Sequence, residues 1–453
     1  MKQGISKYFF SFFVLLFSFQ ILFPANTVKT KYSVLKNGMK IFLEQRDSIP
    51  LVNIAIAVNL GSKDEDSLTK GLVHILEHLI LFRGTKNYSG DQIAEEMRKH
   101  GAYFNGHTDH DLTTFEISVP SDNIDFALNI LKEVVFNLKL SQVELDKEKE
   151  VILEEISQDN DDPSKIGTIL ALQNLFKEHQ YENPIYGDKE IVRNATCDQI
   201  MPFYDHFYTP SNSSLSVVGD FNINEIRGKI GRIFGVLKKK VIKDSNISIV
   251  SKLNKSIEIK KIMDIKESHL IIGFLAPKLN IKDEVGMRVL TQVLGRGINP
   301  LLGTILRGRR RLVENISMQY IALKYGGAAL IKLKLEQKNI KIAKMEVLKF
   351  LNRSNSFLYS SEDYLPKYRS HVFDFLEAAK NQIILSSESL KEKGLNSAVS
   401  YARYMLLFNP SEKKSYYDRI KKISSSKLRK ISSQYLIRKK FVVISILPLN
   451  EKK

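Results

Sequence analysis

The sequence predicts an α+β protein of two domains, and three observations lead there. The chain has 453 residues, 43% of them hydrophobic, which is more than one ordinary core accommodates. Apolar residues alternate with period two in short runs such as Val52, Ile54, Ile56 and Val58, while capped stretches of helical periodicity separate those runs. After a polar, lysine-rich stretch over 238–256, a strand, a helix and a closing helix–strand pair return. The expected organisation is a targeting segment over 1–28, a first domain over 29–240, a linker over 241–256 and a second domain over 257–453.

Each element has a local reason. Residues 32–43 read as a hairpin turning at Asn37-Gly38, because that pair tolerates the positive φ of a tight turn. The strand 52–58 ends before Gly61. A helix around His74 follows, then one opened by the capping box Ser89-Gly90-Asp91-Gln92 and closed at Gly101. A strand over 113–119 and a helix over 122–137 come next. Ser141-Gln142-Val143-Glu144 opens a helix that stops in the turn-rich run Asp159-Asn160-Asp161-Asp162-Pro163. A helical stretch over 164–179 is expected to complete this layer, before a helix over 197–207 and a strand over 214–218. In the second half, 269–275 reads as a strand, 284–294 as a helix, and 428–435 with 441–447 as the closing helix and strand.

Composition removes several function classes. The net charge is +18, with its densest runs at Lys238-Lys239-Lys240 and Arg307-Gly308-Arg309-Arg310-Arg311. The lysines are nevertheless spread along the chain and no nucleic-acid-binding module is visible, so nucleic acid is not an expected partner. A basic wall suits acidic peptides or an anionic membrane surface instead. Cys197 is the one cysteine, which rules out an intrachain disulfide and a cysteine-built zinc cluster. Lys2 and Lys7 flank a basic start, and residues 8–23 are apolar apart from Ser11, Ser18 and Gln20. That length suits the core of a signal peptide. Phe23 fits the small-x-small rule badly for cleavage near Ala25, so an uncleaved anchor is the alternative. With no arginine before Arg46, a mitochondrial transit peptide does not fit. The expected location is exported, either periplasmic or anchored to a bacterial inner membrane facing the periplasm, with membrane association through this segment.

The chemistry centres on His74-Ile75-Leu76-Glu77-His78. Residues four apart share a helix face, so two imidazoles can grip one metal ion while Glu77 points to the same side and can take a proton from water. Apolar neighbours on both sides mark a buried helix with one functional face. An open metal site needs a third ligand from elsewhere. Glu148 and Glu155 lie two turns apart along one face of the helix opened by Ser141; one could bind the metal and the other sit behind a ligand, although a solvated acidic face is the plainer reading of such a pair. His107, Asp109, His110 and Asp111 form another group of ligand-type residues, read either as a second metal site or as a polar loop. His100, His179, His206, His269 and His371 are read as structural or surface residues.

With these residues the sequence resembles the pitrilysin/insulinase family of zinc metallopeptidases, which includes the mitochondrial processing peptidase. The H-x-x-E-H order, the 76 residues between His78 and Glu155, and the text Lys149-Glu150-Val151-Ile152-Leu153-Glu154-Glu155 carry the resemblance. Gly101-Ala102-Tyr103-Phe104-Asn105-Gly106-His107-Thr108, Asn183-Pro184-Ile185-Tyr186-Gly187, Phe207-Tyr208-Thr209-Pro210-Ser211-Asn212 and Val217-Val218-Gly219-Asp220 extend it over nearly the whole chain. The resemblance implies two similar α+β domains, each a mainly antiparallel sheet packed with helices, enclosing a chamber. It implies one Zn²⁺ per chain held by His74, His78 and Glu155, with Glu77 as the base and Glu148 supporting catalysis from beside the metal. Asn105 would help to hold substrate as an added strand. The second domain lacks an H-x-x-E-H. By resemblance it would supply a substrate-binding arginine, Arg307, and a tyrosine seven residues on. Glu314 stands at that tyrosine position, and a carboxylate cannot donate a hydrogen bond as a phenol does. This departure suggests the zinc-bearing subunit of an assembly with a second family chain or a second copy of itself. The expected activity is zinc-dependent hydrolysis of unfolded peptides or small polypeptides; the alternative is a non-catalytic peptide-binding or scaffold subunit.

Overall fold

The computed structural model describes residues 28–242, 247–279, 282–297, 300–357, 372–408 and 416–449. The targeting segment expected over 1–28 lies outside the described residues apart from Val28. Among the described residues no helix is long and apolar enough to cross a membrane.

The first half builds a six-stranded sheet from β1 (Lys29–Val34), β2 (Lys40–Gln45), β3 (Leu51–Val58), β4 (Tyr103–Thr108), β5 (Thr113–Pro120) and β6 (Ser213–Gly219), in the order β1-β2-β6-β3-β5-β4. The hairpin turns at Gly38, whose φ of 94° falls in the left-handed region. On one face lie α1 (Leu72–Phe82), α2 (Gly90–Lys99), α3 (Ile124–Phe136), α4 (Gln142–Asp161), α6 (Lys189–Arg193), α7 (Cys197–Phe207) and α8 (Ile223–Phe234), around a core that includes Ile54, Ile56, Leu76, Phe115, Leu131 and Ile152. The α5 helix (Pro163–Leu175) follows α4 directly.

The second half repeats this plan. The strands β7 (Ile257–Met263), β8 (Ser268–Leu275), β9 (Asn315–Ala322), β10 (Gly327–Leu335) and β11 (Val442–Pro448) form a sheet in the order β7-β11-β8-β10-β9. Omitting β1, each strand has a counterpart in the first sheet. The last strand of each half runs parallel to the first and antiparallel to the next, and the remaining pairs are antiparallel. This is the two-sheet, mainly antiparallel α+β architecture expected from the sequence. Helices α9 (Glu284–Thr291), α10 (Leu301–Gly303), α11 (Ile340–Phe357), α12 (Val372–Glu392), α13 (Gly394–Leu407), α14 (Tyr416–Lys421) and α15 (Ser425–Tyr435) complete the half.

The two halves exchange helices. The sequence suggested that 164–179 completes the first layer; instead α5 packs on the second sheet. Asp162 caps α5 by accepting from the Ser164 and Lys165 amides, and Pro163 starts it afresh, so the chain leaves the α4 direction. Ile166, Ala171, Leu172 and Leu175 are then buried with Ile271, Ala328, Leu330, Val442, Ile444 and Ile446. Reciprocally, α13 lies on the outer face of the first sheet, where Ala398 and Ala402 pack against Ala55, Ala57 and Val218. Small residues on both surfaces allow that close approach. The Ser214 hydroxyl donates to the Ala402 carbonyl (2.6 Å) and the Lys40 ammonium to the Met405 carbonyl (2.7 Å).

Candidate active site

The site forms where α1 crosses under the edge strand β4 and meets α4. All residues of α1 but Phe82 are buried, including His74, Glu77 and His78. On α4 the buried positions are Leu145, Glu148, Ile152, Ile156 and Asp159, a helical stripe aimed at α1. Glu155, two turns after Glu148, lies at the margin of that stripe with its side chain 37% exposed. Its Oε2 is 3.8 Å from Nε2 of His74 and 3.7 Å from Nε2 of His78. Ligand atoms of the three residues lie within 4.8 Å of one another, and they are the one such group among the described residues. Two imidazoles whose Nε2 atoms both face a carboxylate are a donor set that suits a divalent metal, and beside them Oε2 of Glu77 is buried without a partner among the described residues.

The carboxylates have separate tasks. Oε2 of Glu148 is 3.0 Å from Nδ1 of His78, and its other oxygen is bound by Arg83. Glu148 therefore orients a ligand from behind. It does not face the space between the three ligands, so the catalytic role expected of it becomes a positioning role. Burial opposes ionisation of Glu148, but the His78 hydrogen bond and the Arg83 charge hold its carboxyl below the usual range. Burial likewise opposes charge on His78, yet the Glu148 hydrogen bond and the nearby Glu155 and Glu77 raise it above the ordinary value. Burial, with the His78 and His107 charges, pushes His74 down to about 3, so that ring is neutral and ready to ligate. Burial raises the Glu77 carboxyl, with Thr108 hydrogen bonds opposing it. A raised carboxyl is suited to hold a proton transiently.

Two close approaches set this geometry. Gly71, at φ 97°, starts α1 against Gly187, at φ 83°; a Cβ on Gly187 would lie 2.4 Å from the Gly71 Cα. That contact seats the loop carrying Tyr186, whose ring meets His74 edge-on at 4.9 Å. At Gly106 on β4, a Cβ would come 3.0 Å from Oε1 of Glu77 and 2.8 Å from Cδ1 of Leu81. Glycine there allows the edge strand to lie directly over the Glu77 carboxyl. Asn105 is on the exposed side of β4, donating to the Tyr103 hydroxyl at 3.2 Å. The outer edge of β4 pairs with no other strand among the described residues.

Arg307 is exposed on the helical turn Thr304–Arg309 of the second half and takes no part in the contacts just described. Glu314 pairs with Lys334 at 3.4 Å. The group His107, Asp109, His110 and Asp111 does not assemble as a metal site. Asp109 is paired with Arg403, Asp111 accepts from the Tyr181 hydroxyl (2.6 Å) and the Lys324 amide (2.9 Å), and Nδ1 of His110 is 2.8 Å from the Ser62 hydroxyl. Arg83, Thr108 and Tyr186 were not singled out as site residues from the sequence. Thr108 and Tyr186 lie inside segments that carry the family resemblance, but nothing in a single chain says which ring a loop aromatic will touch.

A fold of two repeated sheets with an inverted histidine–glutamate helix and a distant glutamate defines a class of metallopeptidase-like proteins. Comparison with known proteins agrees. The model described as "Insulinase (Peptidase family M16)" matches residues 40–189 and that described as "Peptidase M16 inactive domain" matches 194–363. The chain belongs to the M16 (insulinase) peptidase family. An uncharacterized zinc protease of Rickettsia felis is 28% identical over 366 residues, covering 79% of this chain and 85% of the relative. The zinc protease PqqE of Helicobacter pylori is 27% identical over 337 residues, covering 70% and 73%. Among solved structures, a protease from Helicobacter pylori superposes with TM-score 0.83 at 20% identity, over 93% of this chain and 100% of the other. The periplasmic protease PqqL of Escherichia coli superposes with TM-score 0.73 at 18% identity, over 92% of this chain and 47% of PqqL.

Proposed function

We propose that this chain is a zinc-dependent metalloendopeptidase acting on unfolded peptides or small polypeptides. The observation that carries the reading is the convergence of His74, His78 and Glu155, with ligand atoms within 4.8 Å, beside the buried carboxyl of Glu77. His74, His78 and Glu155 would hold the ion. When bound, zinc supplies a Lewis acid that polarises the scissile carbonyl and lowers the pKa of a water towards about 7.

The remaining work falls to the chain's own groups. The substrate backbone pairs along the open edge of β4, with Asn105 facing it and Gly106 keeping the strand close to Glu77. Glu77 takes a proton from the attacking water and returns it to the leaving amine. Glu148 and Arg83 hold the His78 ring in place. Arg307 remains the proposed contact from the second half to the substrate. The substitution at Glu314 supports an assembly in which a second family chain, or a second copy, supplies the missing donor and closes the chamber. The match to 92% of the first half of PqqL, a longer chain, supports the same view. The apolar run over 8–23 supports export, to the periplasm or to an inner-membrane anchor facing it.

Glu77→Gln tests the activity. The variant should retain one equivalent of zinc and cleave no unstructured peptide, while chelation should silence the wild type reversibly. Full turnover in Glu77→Gln would remove the assigned base. A wild-type chain that binds zinc but cleaves nothing alone or with its co-purified partner would leave the peptide-binding scaffold as the function.

A further inference from the structure

On the side of the molecule where the linker leaves the first domain, a cleft of about 480 Å³ is lined by Lys40, Lys239, Lys240 and Lys324 together with Asn59, Ser211, Asn212, Val241, Ile242 and Leu406. Among the described residues four lysines line it and no carboxylate does. The walls come from both halves: the start of β2, the turn before β6, the linker, the β9–β10 turn and the end of α13. The cleft is held together from several sides. The Ser211 hydroxyl donates to the Lys240 carbonyl, the Lys240 ammonium donates to the Asp205 carbonyl at 2.6 Å, and Asn59 and Asn212 bind each other.

We propose that this cleft is a binding site for a small phosphate-type polyanion, of the size of pyrophosphate or tripolyphosphate, that clamps the linker and the β9–β10 turn against the first sheet. Like charges gathered in one cleft repel; the Lys40 and Lys240 ammoniums each meet a backbone carbonyl, which is neutral, and an anion would supply the counter-charge. Burial, and then the charge of Lys324, lowers the basicity of Lys40. The ligand class follows from the side chains. Lysine ammoniums are compact point charges that bind phosphate oxygens. Among the described residues no aromatic ring lines the cleft, so they offer no platform for a nucleobase.

The position has a structural consequence. The Lys324 amide donates to Asp111 and the Tyr325 amide to the Tyr181 hydroxyl, which in turn donates to Asp111. Asp111 sits in the loop that joins β4 to β5. An anion holding Lys324 therefore steadies the contact between the second half and the loop at the end of the substrate edge.

Titration calorimetry and thermal unfolding of the full chain with tripolyphosphate, at ionic strength matched with sodium chloride, test the site. Wild type should bind one equivalent saturably and unfold at higher temperature with ligand. The Lys239→Gln/Lys324→Gln variant should unfold no lower than wild type without ligand, bind about tenfold more weakly or worse, and lose the ligand-induced rise. A control pair far from the cleft, Lys99→Gln/Lys338→Gln, should behave as wild type. Single Lys239→Gln, just before the linker, gives the same reading in the weaker form if the double variant does not fold. Absence of saturable binding, equal loss in the control pair, undiminished binding in the cleft variants, or preference for hexaglutamate over tripolyphosphate would each overturn the proposal.

Discussion

Oε2 of Glu148 lies 3.0 Å from Nδ1 of His78, so the ring's other nitrogen is turned towards Glu155. One buried carboxylate thus fixes both the orientation of a ligand and the basicity of its free nitrogen. Replacing it should damage metal binding without touching the base. Glu148→Gln should lower zinc affinity by about 10- to 100-fold, measured by chelator competition, because the amide carries no charge to match the donated N–H. Unchanged affinity would show that the contact does not tune the ligand.

Gly106→Ala probes the overlap of the edge strand and the base. The new methyl would meet Oε1 of Glu77 and Cδ1 of Leu81, so either the strand lifts or the carboxyl shifts. Turnover of an unstructured peptide should fall by about 10- to 100-fold with zinc content unchanged, because displacements of this size spoil the alignment of water and carbonyl. A simultaneous loss of zinc would mean that the helix, and not only the carboxyl, had moved.

Glu65 makes stability depend on pH. Its Oε1 accepts from the amides of Gly71 (3.0 Å) and Val73 (2.8 Å) at the start of α1, and burial pushes the carboxyl up to about 8 from an ordinary 4.5. The folded state therefore keeps a proton that the unfolded chain releases. The stabilisation is complete below about pH 4.5 and is lost as pH rises through about 8, at up to about 1.4 kcal/mol per pH unit. The unfolding temperature of metal-free protein should fall across that window, and Glu65→Gln, which still accepts but cannot ionise, should flatten the fall. An unaltered slope in the variant would assign the dependence to other groups.

The helix exchange can be tested at its tightest point. Ala402 is fully buried, facing the alanines of β3, and its carbonyl accepts from Ser214. Ala402→Leu should overfill this seam and cost about 1–3 kcal/mol in chemical denaturation, while Ala402→Ser should cost much less. Equal stability of the leucine variant would mean that α13 docks loosely.

Much of the first half was legible in the chain. The elements containing Val52, His74, Ser89 and Ser141 were readable because period, cap and turn residues are local properties, and the structure has β3, α1, α2 and α4 there. Ser89 and Ser141 each accept from the amide three residues on, as their capping motifs predict. The second half was less readable. The sheet order matches the first, but Lys260 and Lys261 in β7 and Lys332 and Lys334 in β10 blur the apolar pattern, and α13 owes its place to small residues that no periodicity distinguishes from an ordinary helix face.

By itself the sequence determined the ligand types and the pairing of His74 and His78 on one helix turn, since these depend on helix geometry alone; it left Glu148 and Glu155 open as the third ligand, and the family resemblance pointed to Glu155. Only the tertiary structure decided that Glu148 stands behind His78, that Tyr186 packs on His74, that Asp109 and Asp111 serve Arg403 and Tyr181 instead of a second ion, and that α5 and α13 change sheets. Those outcomes rest on contacts between segments far apart in the chain, where burial and hydrogen-bond demand are settled by whichever surfaces fit, and a local pattern carries no record of its distant partner.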